Sequence, residues 1–276
     1  MNSKVKEMKT REAKKYLDAH GVDEYNLLDV RQDWEYEELH LPGATLIPLP
    51  ELPDRLDEVA PDKPTLVYCA VGGRSSAAAN LMSGRGFRDV YNITGGIMAW
   101  ESEYATGPQT LGMIYFSGNE TPQEILTLAY AMEVNIGAFY SEMTSFVKPE
   151  IADVFKQLSK FEAGHKAKVF NMARDLDPSI KTRDELEDRS RVTALEGGTT
   201  AEEFLAQNKD YLKTPKGAVE AAMMFEAQAL DLYMRYAAEA GSHASLDLLH
   251  NLAQEEKRHL KLLGKLMDRK IVKEKT

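Results

Sequence analysis

The sequence predicts two domains: an N-terminal α/β domain over residues 1–107 and a C-terminal all-α four-helix bundle over 121–276, with a linker at 108–120. Three observations carry this. The first third alternates short apolar runs with stretches of helical spacing, as a small, mostly parallel sheet requires. The second half repeats itself, since Glu133, Tyr140, Glu162 and His165 recur as Glu226, Tyr233, Glu256 and His259 at offsets of 93, 93, 94 and 94 residues. A length of 276 residues is also that of two ordinary domains.

Charge and composition narrow the function. A net charge of −10 opposes a nucleic-acid surface, and 43% hydrophobic residues permit ordinary cores. The start, Met-Asn-Ser-Lys-Val-Lys-Glu, lacks the apolar run of a signal peptide, and no stretch reaches the length of a membrane span, so a cytoplasmic location and no membrane partner are expected. Cys69 is the single cysteine. It permits no intrachain disulfide and no metal site of four cysteines.

In the first domain, Thr10 to His20 has helical spacing, with Thr10 as N-cap and Gly21 as stop. Residues 25–30 read as a short buried strand, 65–68 as a second and 90–93 as a third. Helical segments are expected at about 51–59, 74–85 and 96–104. In such sheets chemistry gathers at the carboxyl ends of strands. Cys69 stands there, followed by Ala70, Val71, Gly72, Gly73 and Arg74, with a helix starting just beyond.

A thiol beside a helix N-terminus and a cation ionises more easily, because the helix dipole and Arg74 both favour thiolate. The two glycines let the backbone curl so that successive N–H groups point inward, a cradle for an anion. Nucleophile and cradle together predict attack by a Cys69 thiolate on the outer sulfur of an anionic donor such as thiosulfate, with a second thiol as acceptor. The competing reading, a loop sized for phosphate, fits less well: Arg74 falls five residues after Cys69, and Ser75 occupies the sixth place.

These residues resemble the rhodanese (sulfurtransferase) family. The resemblance runs through Asp29-Val30-Arg31 with Glu35-Tyr36, His40-Leu41-Pro42-Gly43-Ala44, the Cys69 loop, Gly84-x-Gly86-Phe87 and Gly95-Gly96-Ile97-x-Ala99-Trp100. It implies a rhodanese-like fold in which Cys69 carries a persulfide, the backbone of residues 70–74 binds it, and Asp29 and Arg31 shape the site. One departure is Leu39, where the family usually has Gly before the His; it is expected to alter a loop and not the chemistry.

The linker's apolar residues, Leu111 to Phe116 apart from Gly112, are expected to pack on a surface. Bundle helices are expected at roughly 121–146, 149–175, 215–240 and 243–268, with Thr121-Pro122 as an N-cap followed by Pro at the first position. A crossover of about forty residues, carrying a short helix at 201–211, joins the two middle helices. If each copy of the repeat is a helical hairpin, Glu133 and Glu162 lie fifteen and fourteen residues either side of the turn at Lys148-Pro149, and Glu226 and Glu256 lie fifteen either side of Gly241. At about 1.5 Å rise per residue, the four carboxylates reach one height.

Four Glu and two His, His165 and His259, then meet inside the bundle. Unpaired buried carboxylates repel, and a pair of divalent cations resolves that. One Glu from each of two helices and a Glu-x-x-His from each of the other two is the ligand set of carboxylate-bridged di-metal bundles. The stretch resembles the rubrerythrin branch of the ferritin-like superfamily. Oxygen ligands with two imidazoles suit iron, with manganese as the alternative.

The resemblance implies peroxide or oxygen reduction, or ferrous iron oxidation. The further Glu common in rubrerythrins three residues from the third-helix ligand is missing, since Met223 and Ala229 flank Glu226. Without the cysteines of a rubredoxin module, electrons come from an external donor protein. Ferritin-like bundles often pair, which makes a homodimer through the bundle a further expectation. His243 and His250 face away from the site, the methionines fill core, and Tyr140 and Tyr233 either back the ligands or pack.

The leading expectation is a sulfurtransferase fused to a di-iron oxidoreductase. The alternative is a persulfide carrier or sensor fused to a non-catalytic metal-binding, storage or dimerisation bundle.

Overall fold

A computed structural model describes residues 5–145, 147–189 and 213–274, with the backbone alone over 268–274. The chain forms two units, Met1–Gln109 and Thr110–Thr276.

The first unit is built on five parallel strands: β1 (Lys6–Lys9), β2 (Asn26–Asp29), β3 (Thr45–Leu46), β4 (Thr65–Tyr68) and β5 (Val90–Thr94), in the order β1-β5-β4-β2-β3. β4 sits in the middle and all four of its residues are buried, as a central parallel strand with covered faces requires. Helices α1 (Thr10–Ala19), α2 (Asp33–Glu38) and α3 (Gly73–Gly84) complete the unit. Val30, Val67 and Cys69 pack with Ala78, Ala79 and Met82 of α3 in one core. Leu27, Leu66 and Ile93 pack with Ala13 and Leu17 of α1 in the other.

Several expected elements differ. The helix expected at 51–59 is two 3-10 turns, Leu52–Asp54 and Leu56–Glu58, because Pro53 supplies no N–H for a longer ladder. The one expected at 96–104 is a single 3-10 turn, Ile97–Ala99, entered through two glycines with positive φ. The N-cap of α1 is Lys9, so Thr10 is the first helical residue. Strands β1 and β3 and helix α2 were not anticipated.

The second unit opens with residues of the expected linker. Its Met113–Tyr115 3-10 turn is followed by Phe116, which stacks on Tyr236 with ring centroids 4.2 Å apart, while the Tyr236 hydroxyl donates to Gly112 O at 2.9 Å. This segment is packed structure. Helices α4 (Pro122–Met143) and α5 (Pro149–Leu176) pair as one hairpin, and α7 (Pro215–Ala238) and α8 (His243–Glu274) as the other, after a short α6 (Arg183–Glu187).

Two N-termini show how sequence sets these starts. Thr121 Oγ1 accepts from Glu124 N–H at 3.3 Å while Glu124 Oε2 accepts from Thr121 N–H at 2.8 Å, a reciprocal cap ahead of Pro122. Thr214 accepts from Gly217 N–H at 3.0 Å ahead of Pro215. One face of each helix is then buried around Phe139, Tyr140, Phe155, Leu158 and Phe225. Met143 is part of this cluster and Met223 and Met224 pack against it, as fillers of core. The short helix expected at 201–211 lies outside the described residues. Among the described residues, no helix is long and apolar enough to cross a membrane.

Candidate functional sites

Cys69 follows directly on β4, and Gly73 opens α3 four residues later. The loop between them closes because Gly72, at the N-cap, takes φ of 108°, a conformation that suits glycine. A second glycine pair holds the loop from outside. Ile97 N–H donates to Cys69 O at 2.9 Å and Met98 N–H to Ala70 O at 3.1 Å. That approach needs Gly96, where a Cβ would collide with both carbonyl oxygens and φ is +55°.

Cys69 is 1% exposed and Gly72 N–H donates to its Sγ at 3.1 Å. Burial pushes the thiol up, but hydrogen bonds to Ser75 and to the backbone N–H groups of Ser75, Gly72 and Val71 outweigh it and hold the thiol below its ordinary range. Val71 and Met98 stand out from the rim, 67% and 76% exposed.

The expected cation is engaged elsewhere. Arg74 forks onto Glu35, Nη1 to Oε2 at 2.6 Å and Nη2 to Oε1 at 2.7 Å, so its charge is largely answered before it reaches the sulfur. Asp29 and Arg31 form a second, buried fork: Arg31 Nε and Nη2 donate to Asp29 Oδ2 at 2.9 and 2.7 Å, and Nη2 also donates to Leu39 O at 2.7 Å. These two brace the β2 end and the following loop. The sequence reading passed over Glu35 as the partner of Arg74 and used Ser75 only to argue against a phosphate loop. It also missed Asn92, buried 2.6 Å from the Ser75 hydroxyl. A polar residue inside the apolar run Val90-Tyr91-Asn92-Ile93 was the available signal.

In the bundle the six Glu and His side chains converge. Glu133, Glu162, Glu226 and Glu256 are 1–3% exposed, His165 8% and His259 5%. His259 Nδ1 lies 2.8 Å from Glu256 Oε2 and 3.1 Å from Glu226 Oε2. His165 Nδ1 lies 3.2 Å from Glu162 Oε2 and 3.6 Å from Glu133 Oε2. The two imidazoles stack, with centroids 3.3 Å apart. Ligand atoms of Glu133, Glu162 and His165 fall within 4.8 Å of one another, as do those of His165, Glu226 and His259.

Buried Glu133 Oε2, Glu162 Oε2, His165 Nδ1 and His259 Nε2 make no hydrogen bond. Orphaned polar atoms this deep are costly unless something else satisfies them. Burial pushes Glu133 up to about 8 against the opposing pull of His165. Burial pulls His165 down, yet the Glu133 and Glu162 carboxylates outweigh it and lift the imidazole to about 10. Glu226 moves the other way, since hydrogen bonding to His259 outweighs burial. The site thus demands positive charge, and oxygen and imidazole donors converging from four helices fit a pair of divalent cations.

Tyr140 and Tyr233 are buried, and Tyr140 packs on Phe155 and Phe225 at 6.0 and 6.2 Å. His243 is exposed and His250 half-buried, outside the cluster.

A doubly covered parallel sheet presenting a cradled thiol, and a bundle presenting an all-Glu/His centre, define two classes of protein on one chain. Family models agree: a rhodanese-like domain matches residues 9–103 and rubrerythrin matches residues 124–267, so the chain belongs to the rubrerythrin family and carries a rhodanese-like domain ahead of the bundle. The first domain is 43% identical over 101 residues to rhodanese-like/PpiC domain-containing protein 12, chloroplastic, of Arabidopsis thaliana, covering 35% of this chain and 34% of that protein. The chain therefore spans about a third of that relative. It is 36% identical over 78 residues to the thiosulfate sulfurtransferase GlpE of Pseudomonas syringae, covering 28% of this chain and 74% of that protein. A crystal structure of a rhodanese-like domain protein from Staphylococcus aureus is 30% identical, with 35% of this chain and 92% of that one covered at a TM-score of 0.33.

Proposed function

We propose that the first domain is a sulfurtransferase that takes a sulfane sulfur from thiosulfate or a similar anionic donor onto Cys69 and passes it to a thiol. The Cys69 thiolate attacks the outer sulfur; the donor's S–S bond breaks and sulfite leaves with the electron pair. A persulfide remains, and an acceptor thiolate attacks its outer sulfur and regenerates Cys69. The backbone N–H groups of residues 70–74 hold the anionic outer sulfur. Arg74, tied to Glu35, fixes the loop's outer edge, and Asp29 with Arg31 fixes the neighbouring strand end. The observation that carries this is a buried thiol held toward thiolate by N–H donors of its own loop. Sulfite release from thiosulfate with cyanide as acceptor tests it: wild type turns over, and a Cys69→Ala variant with full activity refutes the nucleophile.

In the bundle, we propose that Glu133, Glu162, His165, Glu226, Glu256 and His259 hold two metal ions, iron by donor chemistry with manganese as the alternative. Bound there, the pair would supply electron transfer to peroxide or dioxygen, with reducing equivalents from a separate donor protein. The chain's own part is to desolvate the carboxylates, to keep both imidazoles in place by stacking and by Glu contacts, and to limit access. A cavity of about 10 Å³, room for roughly one water, reaches the ligands between Phe161, Leu262 and Leu263. The carrying observation is the set of buried ligand atoms without hydrogen bonds. Peroxide consumption by the iron-loaded protein with a reductant tests the reading; metal uptake without turnover supports a storage role instead.

A further inference from the structure

The polar chain behind Cys69 has a direction. The Ser75 hydroxyl lies 3.5 Å from Cys69 Sγ and 2.6 Å from Asn92 Oδ1. Asn92 Nδ2 donates to Glu7 Oε2 at 2.8 Å. Ser75 is fully buried and Asn92 is 3% exposed. A carboxylate has no hydrogen to give, so Glu7 decides which end of the Asn92 amide points toward it. The other end, Oδ1, also only accepts. The single hydrogen of the Ser75 hydroxyl therefore has two acceptors, and the 2.6 Å bond to Asn92 takes most of it at the expense of the 3.5 Å donation to the sulfur.

We propose that Asn92, oriented by Glu7, is a positioning residue that draws the Ser75 hydrogen away from Cys69 Sγ and so limits how strongly that hydroxyl favours thiolate. The backbone N–H groups of Val71, Gly72 and Ser75 and the Ser75 hydroxyl favour thiolate, while Asn92 competes for the hydroxyl's hydrogen. Among charged groups near the loop, Arg74 is forked onto Glu35 and Asp29 onto Arg31, while Glu7 acts only through Asn92. The buried sulfur is thus activated less than its loop and Ser75 alone would allow. This rests on Cys69 being the nucleophile, but its test needs no sulfur transfer.

The test is alkylation of the full-length protein by iodoacetamide across pH, with Cys69 as the only thiol in the chain. Asn92→Ala frees the Ser75 hydrogen to reach the sulfur. The alkylation midpoint falls by about one unit, near the size of one hydrogen bond to a charged acceptor, and the rate well below the midpoint rises about tenfold. Adding Ser75→Ala abolishes that gain. Because Asn92 is buried, Glu7→Gln, on exposed edge strand β1, serves as a second variant. A Gln both donates and accepts, which lets the Asn92 amide reverse, and the midpoint moves down by a smaller amount. An unchanged or raised midpoint in folded Asn92→Ala, or in Glu7→Gln should Asn92→Ala not fold, overturns the proposal. The expected shifts in a protein that transfers no sulfur support this role for Asn92 while removing the sulfurtransferase reading.

Discussion

Replacing Gly96 by Ala attacks the clamp that shapes the sulfur loop. At φ +55° and ψ −155°, Gly96 sits in a region essentially reserved for glycine, which costs another residue about 1–3 kcal/mol. The new Cβ collides with the carbonyl oxygens of Cys69 and Ala70. Relieving that collision parts the 2.9 Å bond from Ile97 N–H and the 3.1 Å bond from Met98 N–H, each worth about 0.5–1.5 kcal/mol. The sum is about 2–6 kcal/mol, a large share of the roughly 5–15 kcal/mol that stabilises an ordinary domain. Urea unfolding of the full chain, followed by tryptophan emission from Trp34 and Trp100, reads the loss, and alkylation reads the loop. The thiol should move up toward its ordinary range as the N–H donors draw away. A variant within about 1 kcal/mol of wild type, with an unaltered alkylation profile, would refute the clamp.

Other predictions follow from the same contacts. Arg74→Ala should raise the alkylation midpoint of Cys69 by less than about one unit, because Glu35 already answers the guanidinium; a larger rise would show that Arg74 acts on the sulfur directly. Thr121→Ala should destabilise the bundle by about 1 kcal/mol in thermal unfolding through loss of the α4 cap. In chelator, Glu133 and His165 bind protons more tightly folded than unfolded, at about 8 and about 10 against 4.5 and 6.5. Their contribution is full at acid pH and is lost as pH rises through those values. Helical circular dichroism should therefore report a metal-free bundle that melts lower at alkaline than at mildly acid pH, and saturating manganese should reduce that slope by replacing protons.

The sequence was most legible where repetition or chain geometry constrained it. A duplicated Glu-x-x-His at matched distances from two turns leaves few places for six side chains to go, and the structure gathers them in one buried cluster. Strands β2, β4 and β5 announced themselves as apolar runs. Strand β1 could not, because Lys6-Glu7-Met8-Lys9 is an edge strand with mostly exposed side chains, and its only strand neighbour is β5. Strand β3 is two residues long and helix α2 six, too short for periodicity to show. The segments at 51–59 and 96–104 carry helical spacing, but Pro53 and the glycine pair at 95–96 limit them to single turns. The pairing of Arg74 with Glu35 joins residues 39 apart, which no local pattern reveals.

The account stands most directly on the bundle's need for cations. Chelator-stripped protein, loaded anaerobically with ferrous iron, desalted and assayed for metal, should hold about two ions per chain, and a Glu162→Ala, His259→Ala double variant should lose most of them while staying helical. Retention of less than about one ion by the wild-type chain, or full retention by the double variant, would contradict it.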